Sequence, residues 1–307
     1  MKKVLQMQIK GGMSVDELIR VYKKSGVLGA GGVAQAADII EEMIKKRATI
    51  FLGLSGPLVA AGLRSIITDS INSGYVNCVV TSGANVVHDM IESQNGSHYV
   101  GDFRADDREL TKKKIGRIGN IFTKESDFEN FEDLMQNILG DISPDKGKNI
   151  SIMELLWEIG SRTEDKKSFL RAAYKKNVPV FSPGLVDSVM GIQLFMFSQK
   201  NDFVLNATKD IKELVDMVFT AKKSGAIILG GGLPKHYILN ANLLRKGIDY
   251  GVQITMDREE AGSLSGAKLE EGISWGKMKA KGRMASLVGD VTVLFPLLMA
   301  GIKERIE

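Results

Sequence analysis

The chain has 307 residues, of which 44% are hydrophobic and 25% are charged, a composition typical of folded globular proteins. Its net charge of +4 does not indicate nucleic-acid binding, and its single cysteine, Cys78, excludes an intrachain disulfide and a multi-cysteine zinc site. It lacks the roughly 18-residue apolar run of a membrane span and the apolar core of a signal peptide, so we expect a cytoplasmic protein with no membrane contact.

The first 47 residues predict a helical N-terminal extension. A first helix begins at a capping box from Ser14 to Glu17, where a hydroxyl and a carboxylate three residues apart cap the helix start. A second helix is expected from Val33 to Lys46. Between them lies the glycine-rich segment Gly26–Gly32. We interpret it as a flexible turn, because a dinucleotide-binding glycine motif would follow a strand rather than a helix.

From Ala48 onward, short apolar runs alternate with amphipathic helices. The clearest helix carries apolar side chains at helical spacing from Ile211 to Phe219. Buried strands that alternate with helices predict an α/β fold, in which a parallel sheet is covered by helices on both faces. Six runs are expected to be strands, at residues 48–55, 76–81, 178–182, 226–229, 250–256 and 285–288.

This pattern predicts two domains. Residues 1–47 form the helical extension, and residues 48–307 form one α/β domain. Residues 101–147 are polar, and we expect them to be an elaborated connection with some helix rather than a separate domain.

Small and polar residues follow each expected strand. Ligands of open α/β sheets bind at the carboxyl ends of the strands, where glycine allows close approach and helix N-termini favour phosphate. We therefore predict a nucleotide or cofactor along this edge. The residues that follow the strands are Ser55-Gly56, Thr81-Ser82-Gly83, Pro183 to Asp187, Gly230-Gly231-Gly232, Asp257 with the segment Gly262 to Ala267, and Gly289-Asp290.

Three histidines are candidates for proton transfer, and His236 is the strongest. Pro234 suits a first helical turn after the three glycines, which puts His236 near the strand ends. A histidine satisfied by local backbone is an equally good interpretation. His88 has a similar, weaker claim, and His98 is expected in an exposed loop. No histidine–carboxylate spacing indicates a metal site.

Lys277 stands in the segment Ser274-Trp275-Gly276-Lys277, between the fifth and sixth strands. A nucleophilic lysine needs a pKa below its ordinary value of about 10.4, and burial lowers it. The ring of Trp275 could desolvate the amine. By this pattern alone, Lys277 is one candidate nucleophile among many lysines.

Several motifs in order make the chain similar to the deoxyhypusine synthases. Ser274 to Lys277, followed by Gly289 to Leu298, resembles the C-terminal signature of that family. Ile228 to His236 resembles its central motif. The similarity extends from about residue 50 to about residue 300 and includes Phe181–Asp187, Asn240–Leu243 and Ile115–Asn120.

The resemblance implies a Rossmann-like fold, a homotetramer with active sites at subunit interfaces, and tightly bound NAD. It also implies a reaction. NAD oxidises spermidine beside its secondary amine, the lysine that matches Lys277 attacks, and 1,3-diaminopropane leaves. A lysine of the translation factor 5A precursor then accepts the aminobutyl group, and reduction gives deoxyhypusine.

The resemblance also assigns roles to residues. Lys277 would be the nucleophile, His236 the acid or base, Glu271 the partner of a substrate ammonium, and Trp275 a packing surface for the methylenes. The further substrate-binding residues would be Gly262, Ser263 and His88. The NAD-binding residues would be Ser55, Gly56, Thr81, Ser82, Gly83, Asp187, Gly231, Asp290 and Val291.

Three departures leave alternatives open. Eukaryotic members have acidic residues where this chain has Val87-His88, Ile192 and Leu264, and acids opposite the amines supply much of polyamine recognition. The enzyme could therefore use a free amine as acceptor and make a homospermidine-type product. A third interpretation is an NAD-binding sensor or an inactive subunit, against which the intact Lys277, His236 and Glu271 argue.

Overall fold

The computed structural model describes all 307 residues, and its helices and strands begin at Val15. The strands are β1 (Thr49–Leu54), β2 (Cys78–Thr81), β3 (Tyr99–Val100), β4 (Ile115–Ile118), β5 (Ile121–Lys124), β6 (Val180–Phe181), β7 (Ser224–Leu229), β8 (Ile248–Thr255) and β9 (Met278–Val288). The α-helices are α1 (Val15–Ser25), α2 (Leu28–Lys45), α3 (Arg64–Asn72), α4 (Gly83–Ser93), α5 (Asp107–Lys112), α6 (Glu125–Gly140), α7 (Pro144–Gly147), α8 (Ile152–Arg162), α9 (Phe169–Lys176), α10 (Val189–Ser198), α11 (Asp210–Thr220), α12 (Gly232–Leu243) and α13 (Val291–Ile306).

The main sheet has six strands in the order β6-β2-β1-β7-β8-β9. The pairs β1–β7, β7–β8 and β8–β9 are parallel. Each of the six strands overlaps one of the runs that the sequence predicted, so the predicted fold class is confirmed. None of the helices combines the length and the apolarity that a membrane crossing requires.

Two glycines show that helices cover both faces of this sheet. A Cβ atom at Gly53 would lie 3.1 Å from the Ile238 side chain on α12. Gly53 pairs with Ile228, and Gly225 lies three residues before Ile228, so Gly225 faces the other side of the sheet. There a Cβ atom would clash with Met43 on α2. Both glycines are therefore places where a helix packs closely on a strand.

The chain forms two compact units. The first unit contains residues 1–55, 75–80 and 213–307, and the second contains residues 56–74 and 81–212. The predicted domain boundary at residue 47 stays a prediction.

The N-terminal helices confirm one expectation and correct another. The capping box is present, since Ser14 Oγ accepts from the Glu17 N–H and the Glu17 carboxylate accepts from the Ser14 N–H. However, α2 begins at Leu28, five residues earlier than predicted, so most of the glycine segment is helical. A Cβ atom at Gly31 would lie 2.7 Å from the Gly26 backbone, and one at Gly32 would lie 2.9 Å from Leu287. These glycines permit close packing and do not form a flexible turn.

Two further elements differ from the prediction, and in each of them charged or half-buried residues interrupt the apolar pattern. β9 begins at Met278 rather than near Ala285, since the edge of the sheet tolerates a charged stretch. Within residues 101–147, β4 and β5 form a hairpin in which Ile118 pairs with Ile121. Together with β3 they make a small antiparallel sheet that the sequence reasoning missed.

Asp249 on β8 gives a prediction about acid stability. Burial alone would raise the pKa of its carboxyl, but hydrogen bonds from Lys279, Arg245 and the Ser224 N–H hold the pKa well below its usual range. A carboxyl whose pKa is lower in the folded state than in the unfolded state stabilises the fold at pH values above its unfolded-state pKa of about 3.9. This contribution is lost as the pH falls toward the folded-state pKa. We expect Asp249→Asn to cost on the order of 2 kcal/mol near pH 7 and to flatten the fall in stability below about pH 4.

Denaturant unfolding across this pH range measures the effect. The control is Asp216→Asn, because Asp216 is exposed on α11. Equal pH profiles for Asp249→Asn and the unsubstituted protein would contradict the prediction.

Candidate active site

Lys277 is held by a tight turn at the entrance to β9. A 3₁₀ turn spans Leu269–Ile273, and the Glu271 carbonyl accepts from both the backbone N–H and the hydroxyl of Ser274. The Lys277 N–H then donates to the Gly272 carbonyl at 2.8 Å, and the Lys277 carbonyl accepts from the Ile248 N–H at 3.0 Å. Gly276 takes a left-handed φ of 68°, which suits glycine. The backbone of Lys277 is therefore fixed on both sides.

The Lys277 side chain enters a cavity of about 450 Å³ in the first unit. Six of the sequence-predicted site residues meet there. These are His236, Gly262, Ser263, Glu271, Trp275 and Lys277, and the remaining lining residues are Lys235, Leu239, Glu259, Leu264, Ala267, Lys268 and Gly272.

Trp275 and His236 flank the amine of Lys277. The Lys277 Nζ lies 5.6 Å from the centroid of the Trp275 ring, within the range of a cation–π contact. The ring is 66% exposed, so it borders the amine and does not bury it as the sequence suggested. Burial and the charge of Lys277 lower the pKa of His236, so its imidazole is neutral near pH 7 and can accept a proton.

His236 owes its place to the helix that follows the three glycines. It is the fifth residue of α12, and Pro234 lies in the first turn as predicted. The start of this helix is packed against the segment Ser263–Ala267. The Gly232 N–H donates to Ser265 Oγ at 2.8 Å, and a Cβ atom at Gly231 would lie 2.5 Å from Ser265 Cα. The glycines thus admit a neighbouring backbone segment.

The sequence reasoning missed Lys235, which is only 1% exposed in the wall of the cavity. Its Nζ donates to the carbonyls of Leu264 and Ala267, at 2.9 Å and 2.5 Å. Burial lowers the pKa of Lys235 to about 8, against the opposing charges of Glu271 and Glu270. The buried face of α12 includes Ile238, three residues on, so helical spacing was the available signal.

The other charged side chains of the cavity are those of Glu259, Glu271 and Lys268. Glu271 is exposed at the rim. Glu259 forms an exposed ion pair with Lys268 at 3.0 Å. Leu264 is 38% exposed and contributes an apolar side chain to the cavity wall, at a position where the eukaryotic deoxyhypusine synthases have an acidic residue. Glu271 is therefore the carboxylate best placed to meet a bound ammonium.

Four of the predicted cofactor residues lie at the carboxyl ends of β1, β7 and β9, namely Ser55, Gly231, Asp290 and Val291. Ser55 Oγ donates to the Gly231 carbonyl. Asp290 caps α13, and its Oδ1 accepts from both the N–H and the hydroxyl of Thr292 at 2.7 Å. Val291 is the buried first residue of that helix. These residues border the strand ends as expected.

A second cavity of about 230 Å³ lies at the ends of β8 and β9. Gln253, Thr255 and Ser286 contribute polar groups to its wall. The Gln253 side chain is fully buried, its Nε2 donates to the carbonyls of Gly230 and Ser265, and its Oε1 has no partner. A buried acceptor without a donor is uncommon, so a ligand N–H or hydroxyl is expected here.

The other predicted cofactor residues belong to the second unit. The Asn85 side chain donates to the hydroxyls of Thr81 and Ser82, at 3.2 Å and 3.3 Å. Ser82 precedes α4 without capping it through its side chain, which leaves N–H groups at the helix start for a ligand. Gly83 begins this helix and packs against Ser188. Gly56 lies in a turn with φ of 78°, and Asp187 is exposed.

The two remaining histidines form a buried chain in the second unit. His88 Nδ1 lies 2.9 Å from His98 Nε2, and His98 Nδ1 lies 2.8 Å from a Glu92 carboxylate oxygen. The His98 side chain is buried, so the expected exposed position is wrong. Burial lowers the pKa of His88 to about 4, with a further contribution from His98. His88 does not line the Lys277 cavity, and its substrate role stays a prediction.

Known proteins resemble this chain over almost its whole length. The family model "Deoxyhypusine synthase" matches residues 17–302. A probable deoxyhypusine synthase of Methanothermobacter thermautotrophicus is 48% identical over 97% of both chains. One from Methanopyrus kandleri is 43% identical over 97% of this chain and 96% of its own. A crystal structure of a proposed deoxyhypusine synthase from Entamoeba histolytica shares the fold, with a TM-score of 0.70 at 21% identity over 95% of this chain and 96% of its own.

Proposed function

The chain belongs to the deoxyhypusine synthase family, a family of aminobutyltransferases, and from this premise we propose its reaction. The enzyme transfers the aminobutyl group of spermidine to a lysine of the translation factor 5A precursor. The group travels as an imine on Lys277, and NAD carries the hydride. The observation that supports this proposal is the meeting of Lys277, His236, Glu271 and Trp275 in one cavity.

The residues present fit NAD. The unpartnered Gln253 Oε1 can accept from an amide or a ribose hydroxyl. In the first unit, the hydroxyl of Ser55 also suits a ribose group. In the second unit, taken by itself, the hydroxyls of Thr81 and Ser82 and the start of α4 suit phosphate groups. When bound, NAD would supply the hydride acceptor for the carbon beside the secondary amine of spermidine and the hydride donor for the new imine.

In the proposed reaction, Lys277 forms the covalent bond and His236 transfers the proton. The lone pair of Lys277 Nζ forms a bond to the oxidised carbon, and the bond from that carbon to 1,3-diaminopropane breaks. The proton that Lys277 gives up passes through the neutral imidazole of His236 to the leaving amine. The acceptor lysine repeats the exchange and releases Lys277. Each bond formed is matched by one broken, and the amine nitrogens only trade protons.

Trp275 also supports the proposal of a homotetramer with active sites at subunit interfaces. A tryptophan that is 66% exposed beside a cavity is typical of a surface covered by another chain. Under this proposal, the partner chain completes the exclusion of water that Trp275 begins.

Glu271 gives a prediction about substrate affinity. Its exposed carboxylate at the cavity rim is expected to bind an ammonium of spermidine. We expect Glu271→Gln to raise the half-saturating spermidine concentration about tenfold, with stability changed by less than about 0.5 kcal/mol. Steady-state kinetics and thermal unfolding measure both. Glu270→Gln is the control, because Glu270 shares the 3₁₀ turn but does not line the cavity, and an equal effect of both variants would contradict the assignment.

A second candidate function is transfer to a free amine, and Leu264 favours it. An apolar wall where an acid was expected weakens the recognition of a trication and suits a smaller diamine. Spermidine labelled in its aminobutyl group separates the two functions. Label on purified factor 5A precursor supports the protein acceptor, and label only in homospermidine when putrescine is added supports the free amine. No transfer to either would refute both.

A further inference from the structure

We propose that Lys235 is a positioning residue, which holds the segment Leu264–Ala267 as a wall of the amine cavity and thereby sets the affinity for the substrate. The inference rests on the proposed function, because it assumes that the cavity receives an amine. It concerns a residue that the covalent reaction does not use.

The partners of the Lys235 ammonium are the basis of the inference. Lysine is almost never fully buried unless it is paired, and here the partners are two main-chain carbonyls, those of Leu264 and Ala267. Both carbonyls belong to one short segment that lines the cavity. The ammonium therefore joins this segment to α12.

The segment Leu264–Ala267 makes further buried contacts at Ser265 and Gly266. The carbonyl of Ser265, between the two partners of Lys235, accepts from Gln253 Nε2 at 2.8 Å. The Ser265 hydroxyl accepts from the Gly232 N–H. At Gly266 a Cβ atom would clash with the Arg258 backbone. The carbonyls of the segment accept from Lys235 and Gln253, and the side chains of Leu264 and Ala267 form part of the cavity wall.

The nucleophile does not depend on this arrangement. The backbone of Lys277 is fixed by Gly272 and Ile248 and makes no use of the segment. Loss of the Lys235 ammonium would leave the carbonyls of Leu264 and Ala267 without a donor and loosen the segment at its two ends, while the turn at Lys277 stays formed. The consequence is a loss of substrate affinity with a largely preserved maximal rate.

Lys235→Met tests this role, because methionine has a similar length and no donor. The first measurement is calorimetric binding of spermidine to the full protein with saturating NAD. The second is the rate of adduct formation on Lys277 as a function of spermidine concentration. We expect Lys235→Met to weaken binding and to raise the half-saturating concentration about tenfold, with a maximal rate within about threefold of the unsubstituted enzyme.

The matched control is Asn242→Ala. Asn242 is another fully buried polar residue of α12; its Nδ2 donates to the Ile238 carbonyl, and it does not line the cavity. We expect this variant to lower the melting temperature without changing spermidine affinity. Lys235→Arg keeps the charge and the donors, and it is expected to restore part of the affinity.

The outcomes separate this inference from the proposed function. Unchanged affinity in Lys235→Met, or equal losses in Asn242→Ala, would overturn the positioning role. If the unsubstituted protein binds spermidine but forms no adduct on Lys277, the proposed reaction fails, and weaker binding by Lys235→Met still supports the inference. If the unsubstituted protein binds no amine, both fail.

Discussion

Replacing Lys277 with arginine is expected to lower aminobutyl transfer by at least about a thousandfold, which corresponds to about 4 kcal/mol of activation free energy. Arginine keeps the positive charge and much of the side-chain length, but its guanidinium stays protonated and cannot attack a carbon. Lys277 is only half-buried and its backbone makes the hydrogen bonds of the turn, so the fold should tolerate the change. Transfer of label from spermidine measures the loss.

Lys281→Arg is the control for this experiment. Lys281 is an exposed residue of β9, four positions after Lys277, and does not line the cavity. Normal activity of the control together with normal NAD binding by Lys277→Arg would assign the loss to the missing nucleophile. Substantial transfer by Lys277→Arg would contradict the covalent role.

Asp89→Ala is expected to destabilise the second unit by about 3–5 kcal/mol. Asp89 is fully buried on α4, and its carboxylate accepts from Arg64 Nε at 2.6 Å and Ser168 Oγ at 2.7 Å. It also accepts from the N–H groups of Phe169 and Leu170 at the start of α9. Removal of the carboxylate leaves a buried guanidinium only partly compensated and four donors without their acceptor.

Denaturant unfolding with two further variants checks the cause. Asp107→Ala breaks an exposed pair with Arg117, also within the second unit and of similar length at 2.7 Å, and should cost less than about 1 kcal/mol. Arg64→Met combined with Asp89→Ala should recover part of the loss, because the buried and only partly compensated guanidinium is gone. Similar costs for Asp89→Ala and Asp107→Ala would show that burial does not govern the strength of these pairs.

The fold was predictable because its signals are local. The apolar runs around β1, β7 and β8 are buried on both faces and read as strands without alternation. The capping box at Ser14 is a pattern of four residues whose geometry needs no tertiary contact. The hairpin of β4 and β5 was missed because its four-residue strands lie within a polar stretch of the chain, although Gly119-Asn120 between two isoleucines was a turn signal.

The candidate site was only partly predictable, because some of its residues are brought together by tertiary contacts and not by a local motif. Lys277, Trp275 and Glu271 lie in one continuous turn, so a motif suffices to find them. Lys235 and His98 carry side chains that usually lie in water, and only tertiary contacts bury them. The carbonyls that satisfy Lys235 are about thirty residues away in the chain, and no local pattern shows them.

Several glycines allow another part of the protein to approach closely, and the sequence alone does not identify that part. A cofactor-binding role was predicted for Gly231 and stays a prediction, and the structure shows that its missing Cβ admits the backbone of Ser265. Gly53 and Gly225 admit helices. The freedom of glycine to allow close approach was inferred correctly from the residue type, whereas the identity of the approaching group depends on the assembled fold.

If Lys277 carries the aminobutyl group, the covalent intermediate can be trapped on its side chain. The full protein is incubated with NAD and labelled spermidine, the imine is reduced with borohydride, and the labelled peptide is sequenced. We expect a stable aminobutyl adduct on Lys277 that requires NAD and is lost in Lys277→Arg. An adduct on another lysine, or active enzyme that forms none, would contradict it.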